Sequence, residues 1–275
     1  MIDFFEIIKS VILGIIQGIT EWLPISSTGH LILVNQFLNL DCSEDFMNMF
    51  KVVIQFGSIL AVVLLYFNKL NPFSPKKSAL QKKETWLLWF KVIVGVIPAA
   101  VIGFLFEDII DHYLSTPYVI GLALLIYGII FIIIENQKKI PKINGLSELT
   151  YKTALLIGCF QVLALIPGTS RSGSTILGAV LLGTSRGVAS EFSFFLAIPV
   201  MFGASALKML GFGFNLTPQE WIVLLTGTVI SFLVSIFAIK FLMGYIRKHD
   251  FKAFGYYRII LGIIILIYFG IKHFV

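Results

Sequence analysis

Two polar segments interrupt otherwise apolar stretches of this chain, and they decide how it can fold. Residues 17–30 read Gln-Gly-Ile-Thr-Glu-Trp-Leu-Pro-Ile-Ser-Ser-Thr-Gly-His, and residues 167–175 read Pro-Gly-Thr-Ser-Arg-Ser-Gly-Ser-Thr. A proline such as Pro24 ends a helix, because it lacks the backbone N–H and disfavours helical conformation at the preceding residue. Each segment therefore predicts a break between two short helices.

The composition places most of the chain in lipid. Of its 275 residues, 57% are hydrophobic and 13% are charged, and the mean hydropathy is +0.93. Soluble domains have about 45–50% apolar and about 25% charged residues, and disordered or fibrous chains need polar or repetitive sequence. The net charge of +6 comes from lysines in short breaks between apolar runs. That distribution is typical of a membrane surface and argues against a nucleic-acid partner.

Six apolar stretches are long enough to cross the hydrocarbon core, which takes about 20 helical residues. They are Phe46–Phe67, Trp86–Phe106, Tyr118–Ile134, Glu191–Gly211, Glu220–Met243 and Phe254–Phe274. The regions Phe4–Leu38 and Tyr151–Leu182 contain the two polar segments and are too short on each side of the break for two full spans. We predict that each is a re-entrant helix–loop–helix hairpin in an all-α polytopic membrane protein.

Loop charges predict the orientation of these elements. The loops with lysine or arginine, predicted to be cytoplasmic, are Asn68–Thr85, Glu135–Lys152 and Gly244–Ala253. The loops without either, predicted to be external, are Glu107–Pro117 and Phe212–Pro218. Counting crossings then requires the first hairpin to enter from outside and the second from inside. Residues 1–145 and 146–275 become two inverted repeats, each with one hairpin and three spans.

Hairpins that enter from opposite faces bring their polar tips together near the middle of the membrane. Gln17 and Glu21 are four residues apart and share one helix face. The second tip has the composition of an anion site, since small residues expose backbone N–H groups and Arg171 supplies a planar guanidinium. Ionisable residues at this depth are costly to bury, so Glu21, His30 and Arg171 are candidate functional residues.

This set of side chains suits phosphoryl transfer. Arg171 would neutralise phosphate oxygens, and Glu21 would hold a divalent cation. Ser27 or a water would attack, with His30 or Glu21 accepting a proton. Structural roles compete, because Gln17 could form an interhelical hydrogen bond and the charged residues could form buried pairs. A hydrogen bond to the backbone or to a neighbouring helix is favoured for four hydroxyl residues taken singly: Ser26, Thr28, Thr169 and Ser174.

Both polar segments resemble the signature motifs of the bacterial undecaprenyl-diphosphate phosphatases of the bacitracin-resistance type, and the likeness covers nearly the whole chain. Further family-like segments are Ile54–Val63, Ile157–Gln161 and Ser190–Pro199. The resemblance implies hydrolysis of undecaprenyl diphosphate to undecaprenyl phosphate and phosphate in the bacterial plasma membrane. It implies lipid-carrier recycling for the cell wall, bacitracin resistance, a Mg²⁺ or Ca²⁺ cofactor and an active site open to the outer face.

The resemblance also assigns roles to individual residues. Its acidic motif falls on Gln17 and Glu21, with Glu21 as the metal ligand and Gln17 as an amide variant that leaves a single carboxylate. The catalytic hydroxyl and imidazole fall on Ser27 and His30, and the phosphate-binding guanidinium falls on Arg171. With Gln17, the predicted substrate-binding residues are Ser26, Thr28, Ser170, Ser172, Gly173 and Thr175.

A transporter or flippase for the lipid carrier or a small anion is the alternative function. Inverted repeats and broken helices are typical of secondary transporters. Ser27, His30 and Arg171 discriminate between the two, since transport alone does not need this set. The residues leave open whether Ser27 or His30 is the nucleophile, and whether a second copy of the chain forms a homodimer.

Overall fold

A computed structural model describes residues 3–274, apart from the side chains of residues 107, 108, 111, 273 and 274. Within this range the chain is helical and has no β-strand, so the predicted all-α class is confirmed. The α-helices are α1 Phe4–Thr20, α2 Ser27–Leu38, α3 Glu44–Leu65, α4 Phe67–Leu70, α5 Ala79–Leu114, α6 Pro117–Asn136, α7 Tyr151–Val162, α8 Arg171–Leu181, α9 Arg186–Phe212, α10 Pro218–Tyr245 and α11 Lys252–Phe274.

Six of the described helices are long and apolar enough to cross a membrane, which confirms the predicted number. Their spans are Glu44–Leu65, Ala79–Phe106, Pro117–Asn136, Arg186–Phe212, Pro218–Tyr245 and Lys252–Lys272. The prediction that a loop begins at Glu107 is wrong, because α5 continues to Leu114. Acidic residues do not end a helix, and the next proline is Pro117. The three acidic side chains of that segment, Glu107, Asp108 and Asp111, lie outside the described side chains.

Local sequence signals start the long helices. The side chains of Ser78 and Thr217 accept hydrogen bonds from the backbone N–H groups three residues ahead. The side chains of Gln81 and Glu220 accept from the backbone N–H groups of Ser78 and Thr217, which completes two capping boxes. Such caps satisfy N–H groups that have no partner within the helix. Pro218 occupies the first position of α10, where proline's fixed φ favours helix initiation. These polar caps therefore define where the helices start, which the length of an apolar stretch alone gives only to within several residues.

Small residues bring the helices into close contact. α1 packs on α10 and α7 packs on α5. A Cβ at Gly14 would lie 2.7 Å from the carbonyl oxygen of Gly227, and one at Gly158 would lie 2.2 Å from that of Gly95. Backbones approach this closely only where no side chain intervenes. The two contacts join corresponding helices of the two predicted repeats, and this correspondence is compatible with an inverted repeat.

The two broken segments form short helical pairs that carry the polar tips. α2 has 12 residues and α8 has 11, which at about 1.5 Å per residue cannot cross a core of about 30 Å. Ser26 and Ser170 have nearly equal positive φ angles of 72° and 73°, and each caps the helix that follows. Ser172 Oγ donates to the Glu21 carbonyl oxygen at 3.0 Å. The tips are therefore in direct contact.

Candidate active site

Glu21 is the centre of a buried hydrogen-bond network where the two tips meet. Its side chain is 6% exposed. Oε2 accepts from Gln17 Nε2 at 2.9 Å and from Ser27 Oγ at 3.0 Å, while Oε1 accepts from Arg171 Nη2 at 3.0 Å. Both carboxylate oxygens therefore have donors, which is how a charge at this depth is tolerated. The structure thus brings Gln17, Ser27 and Arg171 together around Glu21.

Arg171 lies at the first position of α8 and points from the second tip into the first. Nη1 donates to the Ser193 carbonyl oxygen at 2.9 Å. The guanidinium carbon lies 5.3 Å from the Trp22 ring centroid, within the range of a cation–π contact. Nε has no hydrogen-bond partner among the described residues. The guanidinium is thus fixed on two sides and keeps one donor for another acceptor.

The other residues of the second tip hold the loop in shape. Ser170 Oγ accepts from Gly173 N at 3.1 Å, as expected of a helix cap. Thr175 Oγ1 is 2.7 Å from Ser193 Oγ and donates to the Arg171 carbonyl oxygen at 2.9 Å. Ser174 Oγ also donates to that carbonyl, at 3.1 Å. These hydroxyls support the position of Arg171.

His30 lies near the Glu21 network in sequence but bonds elsewhere. Its Nδ1 is 2.7 Å from the Ser26 carbonyl oxygen, and since a carbonyl only accepts, Nδ1 carries the hydrogen. Nε2 is 2.7 Å from the Tyr257 hydroxyl. Ser26 Oγ caps α2 by accepting from Gly29 N, and Thr28 is exposed at the start of that helix. The described hydrogen bonds therefore do not join His30, Ser26 or Thr28 to the carboxylate.

The residues of both tips match a known family. The sequence model described as Bacitracin resistance protein BacA matches residues 10–264, and this range includes both polar segments. The chain belongs to the BacA family.

Curated BacA-like relatives are similar over almost their full length. Undecaprenyl-diphosphatase 1 of Clostridioides difficile is 64% identical over 267 residues, which cover 97% of each chain. An undecaprenyl-diphosphatase of Acetivibrio thermocellus is 60% identical over 96% of this chain and 98% of its own. One of Enterococcus faecalis is 60% identical with the same coverage.

Arg258 is a site residue of this BacA chain that motif analysis missed. It lies on α11, its side chain is fully buried, and it reaches both tips. Nη1 is 3.3 Å from the Pro24 carbonyl oxygen, while Nη2 donates to those of Gly168 and Thr169 at 3.0 and 2.8 Å. A lone arginine within the predicted span Phe254–Phe274 was the available signal, because ionisable residues inside a membrane span are functional candidates.

The site also offers oxygen atoms to a divalent cation. Gln17 Oε1 is buried and has no hydrogen-bond partner among the described residues. It belongs to the amide whose nitrogen bonds Glu21. In the described part of the chain, no group of three or more His, Cys, Asp or Glu side chains is arranged to hold a metal ion. Mg²⁺ commonly uses one or two carboxylates together with substrate phosphates and water. One carboxylate and one free amide oxygen fit that mode.

Proposed function

We propose that the chain hydrolyses undecaprenyl diphosphate to undecaprenyl phosphate and inorganic phosphate. This reaction recycles the lipid carrier for cell-wall synthesis and confers bacitracin resistance. Relatives with 64% and 60% identity bear the name undecaprenyl-diphosphatase. The observation that carries the proposal is the Ser27–Glu21–Arg171 arrangement, in which one carboxylate contacts both a hydroxyl and a guanidinium.

In the proposed reaction, Ser27 Oγ attacks the terminal phosphorus of the substrate. Glu21 accepts the hydroxyl proton through the 3.0 Å hydrogen bond that already joins the two side chains. The bond from that phosphorus to the bridging oxygen breaks, and undecaprenyl phosphate leaves with the proton from Glu21. A water then attacks the phosphoserine. Its proton passes through Glu21 to Ser27 Oγ, which releases phosphate and restores both side chains.

The hydrogen bonds support Ser27 rather than His30 as the nucleophile. Both His30 nitrogens are engaged, one with the Ser26 carbonyl oxygen and one with Tyr257. We assign His30 as a second residue that can accept a proton in this reaction, and Tyr257 holds its imidazole in place. Contact with the substrate is also proposed for the remaining motif residues, in addition to the hydrogen bonds by which several of them hold the tips in shape: Ser26, Thr28, Ser170, Ser172, Gly173 and Thr175.

Arg171 stabilises the charge that develops on the phosphate oxygens. Its unpartnered Nε and the Nη2 group now bound to Glu21 are the donors that a phosphate would engage. Glu21 and Gln17 Oε1 are the proposed ligands of Mg²⁺ or Ca²⁺. When bound, such a cation supplies further positive charge to the phosphate oxygens.

An apolar cavity of about 520 Å³ adjoins the first tip, and we assign it to the prenyl chain. Thr20 and His30 are polar residues of its lining, and both belong to the first tip, where the diphosphate is proposed to bind. The other walls are apolar or aromatic and include Ile16, Ile19, Leu23, Ile25, Phe241, Tyr245, Phe254 and Tyr257. A substrate with a charged head and a long hydrocarbon tail needs both kinds of surface side by side.

The chain is a multi-pass membrane protein, and we propose that it lies in the bacterial plasma membrane with the site open to the outer face. This topology has a direct test in a variant without Cys42 and Cys159. A membrane-impermeant maleimide should label Asn215→Cys in intact cells and Lys76→Cys only after permeabilisation. The reverse pattern would contradict the orientation and the re-entrant assignment that depends on it.

The activity is tested by phosphate release from undecaprenyl diphosphate, using detergent-purified protein with Mg²⁺ or Ca²⁺. Glu21→Gln keeps the side-chain shape but removes the base, so kcat should fall by about 100- to 10,000-fold. Glu6→Gln is the matched control, because Glu6 is also buried, near the start of α1, but pairs with Lys9. If the parent protein releases no phosphate, the proposed phosphatase activity is contradicted. Movement of labelled lipid between leaflets of proteoliposomes would then support a flippase.

A further inference from the structure

A second cavity, which is polar, lies at the C-terminal end of α8, whereas Arg171 is at the N-terminal end of that helix. It has a volume of about 280 Å³ and is bounded by the end of α6, the loop that follows it, the end of α8 and the start of α9. We propose that this cavity binds the phosphate group of an anionic phospholipid. The proposal does not depend on the phosphatase activity, since none of the residues argued below belongs to the Glu21 network.

Basic side chains on one side of the cavity are available to a ligand. Lys138 and Lys139 line it and are exposed, and neither side-chain ammonium has an ion pair or hydrogen bond to the described residues. Arg186 also lines the cavity and donates from Nε to Glu135 Oε1 at 3.0 Å. Glu135 Oε1 also accepts from Phe251 N, and Glu135 Oε2 accepts from Arg186 Nη2. The lining carboxylate is therefore already neutralised.

A helix start and a buried hydroxyl form the opposite side. α9 begins at Arg186. The Ser185 side chain caps the Val188 N–H, and the N–H groups of Arg186 and Gly187 have no partner within the helix. Gly187 lies in this first turn and lines the cavity, and a Cβ there would meet nothing within 4 Å. Thr184 also lines the cavity, is 3% exposed, and its Oγ1 has no hydrogen-bond partner among the described residues. A phosphate oxygen would accept from this hydroxyl and from the helix start together.

The surroundings favour a lipid phosphate over free phosphate. Apolar side chains of Ile134, Val180 and Ile246 share the cavity wall with the basic residues. Ile140 directly follows the two lysines and is 88% exposed. The positive-inside rule places this loop at the cytoplasmic face, where anionic lipids attract basic side chains. A phospholipid offers both a phosphate and an acyl region, which matches a cavity with basic and apolar walls.

The proposal is tested by thermal unfolding and native mass spectrometry of the full chain in neutral detergent. Added phosphatidylglycerol should raise the Tm of the parent more than phosphatidylcholine. The double variant Lys138→Gln/Lys139→Gln should weaken phosphatidylglycerol binding by about tenfold, and Thr184→Val by about threefold, as expected from loss of charged and neutral hydrogen bonds. Lys82→Gln/Lys83→Gln makes the same charge change elsewhere on the predicted cytoplasmic side and should leave binding unchanged.

Each alternative outcome would overturn part of the inference. Equal binding of the two lipids by the parent, or equal weakening by the control pair, would mean that no specific site exists. Inorganic phosphate alone, at matched concentration, is the second ligand in the test. If it protects the parent as well as phosphatidylglycerol does and the Thr184→Val variant loses that protection, the lipid assignment is wrong.

Discussion

Arg258 offers the sharpest test of how the two tips are held together. Its guanidinium contacts one carbonyl oxygen of the first tip and two of the second, while fully buried. Lysine at this position keeps the charge but provides one compact ammonium in place of a planar fork. Arg258→Lys should therefore lose at least two of the three hydrogen bonds. At about 1.5–3 kcal/mol for each bond from a charged donor, the loss is about 3–6 kcal/mol.

This loss should appear in catalysis as well as in stability. Displacement of a catalytic group by about 1 Å can lower the rate about 100-fold, so we expect kcat for phosphate release to fall by about that factor while KM changes less. The assay compares Arg258→Lys with Arg247→Lys, an arginine exposed at the end of α10. A parental kcat together with a parental Tm in Arg258→Lys would refute the reasoning. A lower Tm with unchanged kcat would restrict Arg258 to a structural role.

Three further predictions address helix packing, the prenyl cavity and the imidazole. Tyr257→Phe removes a hydrogen bond of about 1 kcal/mol, so kcat should fall about fivefold without a change in KM. Gly158→Ala places a Cβ 2.2 Å from a carbonyl oxygen of α5 and should destabilise the protein by about 1–3 kcal/mol, whereas Gly203→Ala, within α9, meets no atom within 4 Å and should not lower Tm. Ile19→Trp narrows the prenyl cavity and should raise KM for undecaprenyl diphosphate but not for farnesyl diphosphate. Ile8→Trp, at a side chain with the same 40% exposure outside that cavity, should alter neither KM.

The spans could be predicted because the membrane imposes a minimum apolar length on each of them. Their ends were less accessible. α5 extends from Ala79 to Leu114, well beyond the predicted Trp86–Phe106. Charged residues can continue a helix into water, so hydropathy does not define its end. The breaks at Glu21 and Pro167 were predictable because proline and small polar residues have local effects that do not depend on the rest of the fold.

Only part of the site could be predicted from the sequence, for a similar reason. Glu21 and Ser27 are six residues apart, so a local motif contains both of them. Arg171 became predictable only through the argument that the two tips meet. Arg258 and Tyr257 approach the tips from α11, about which neither motif gives information. Side chains whose role depends on tertiary packing cannot be found from the spacing of motif residues.

The Glu21–Arg171 pair explains how the proposed site can be stable without substrate and active with it. Two buried charges are tolerated while they neutralise each other, and removing either one leaves the other unpaired. In the proposed mechanism, the diphosphate would replace Glu21 as the partner of Arg171. This exchange would free Glu21 Oε1, while Oε2 keeps its hydrogen bond to Ser27. Glu21 Oε1 would then be available to hold the proposed cation. Glu21→Gln therefore tests both roles, because it should remove the base and leave Arg171 unpaired. The double variant Glu21→Gln/Arg171→Met should recover Tm over Glu21→Gln alone but not recover phosphate release. If its Tm is no higher than that of Glu21→Gln, the pair does not stabilise the free site in this way.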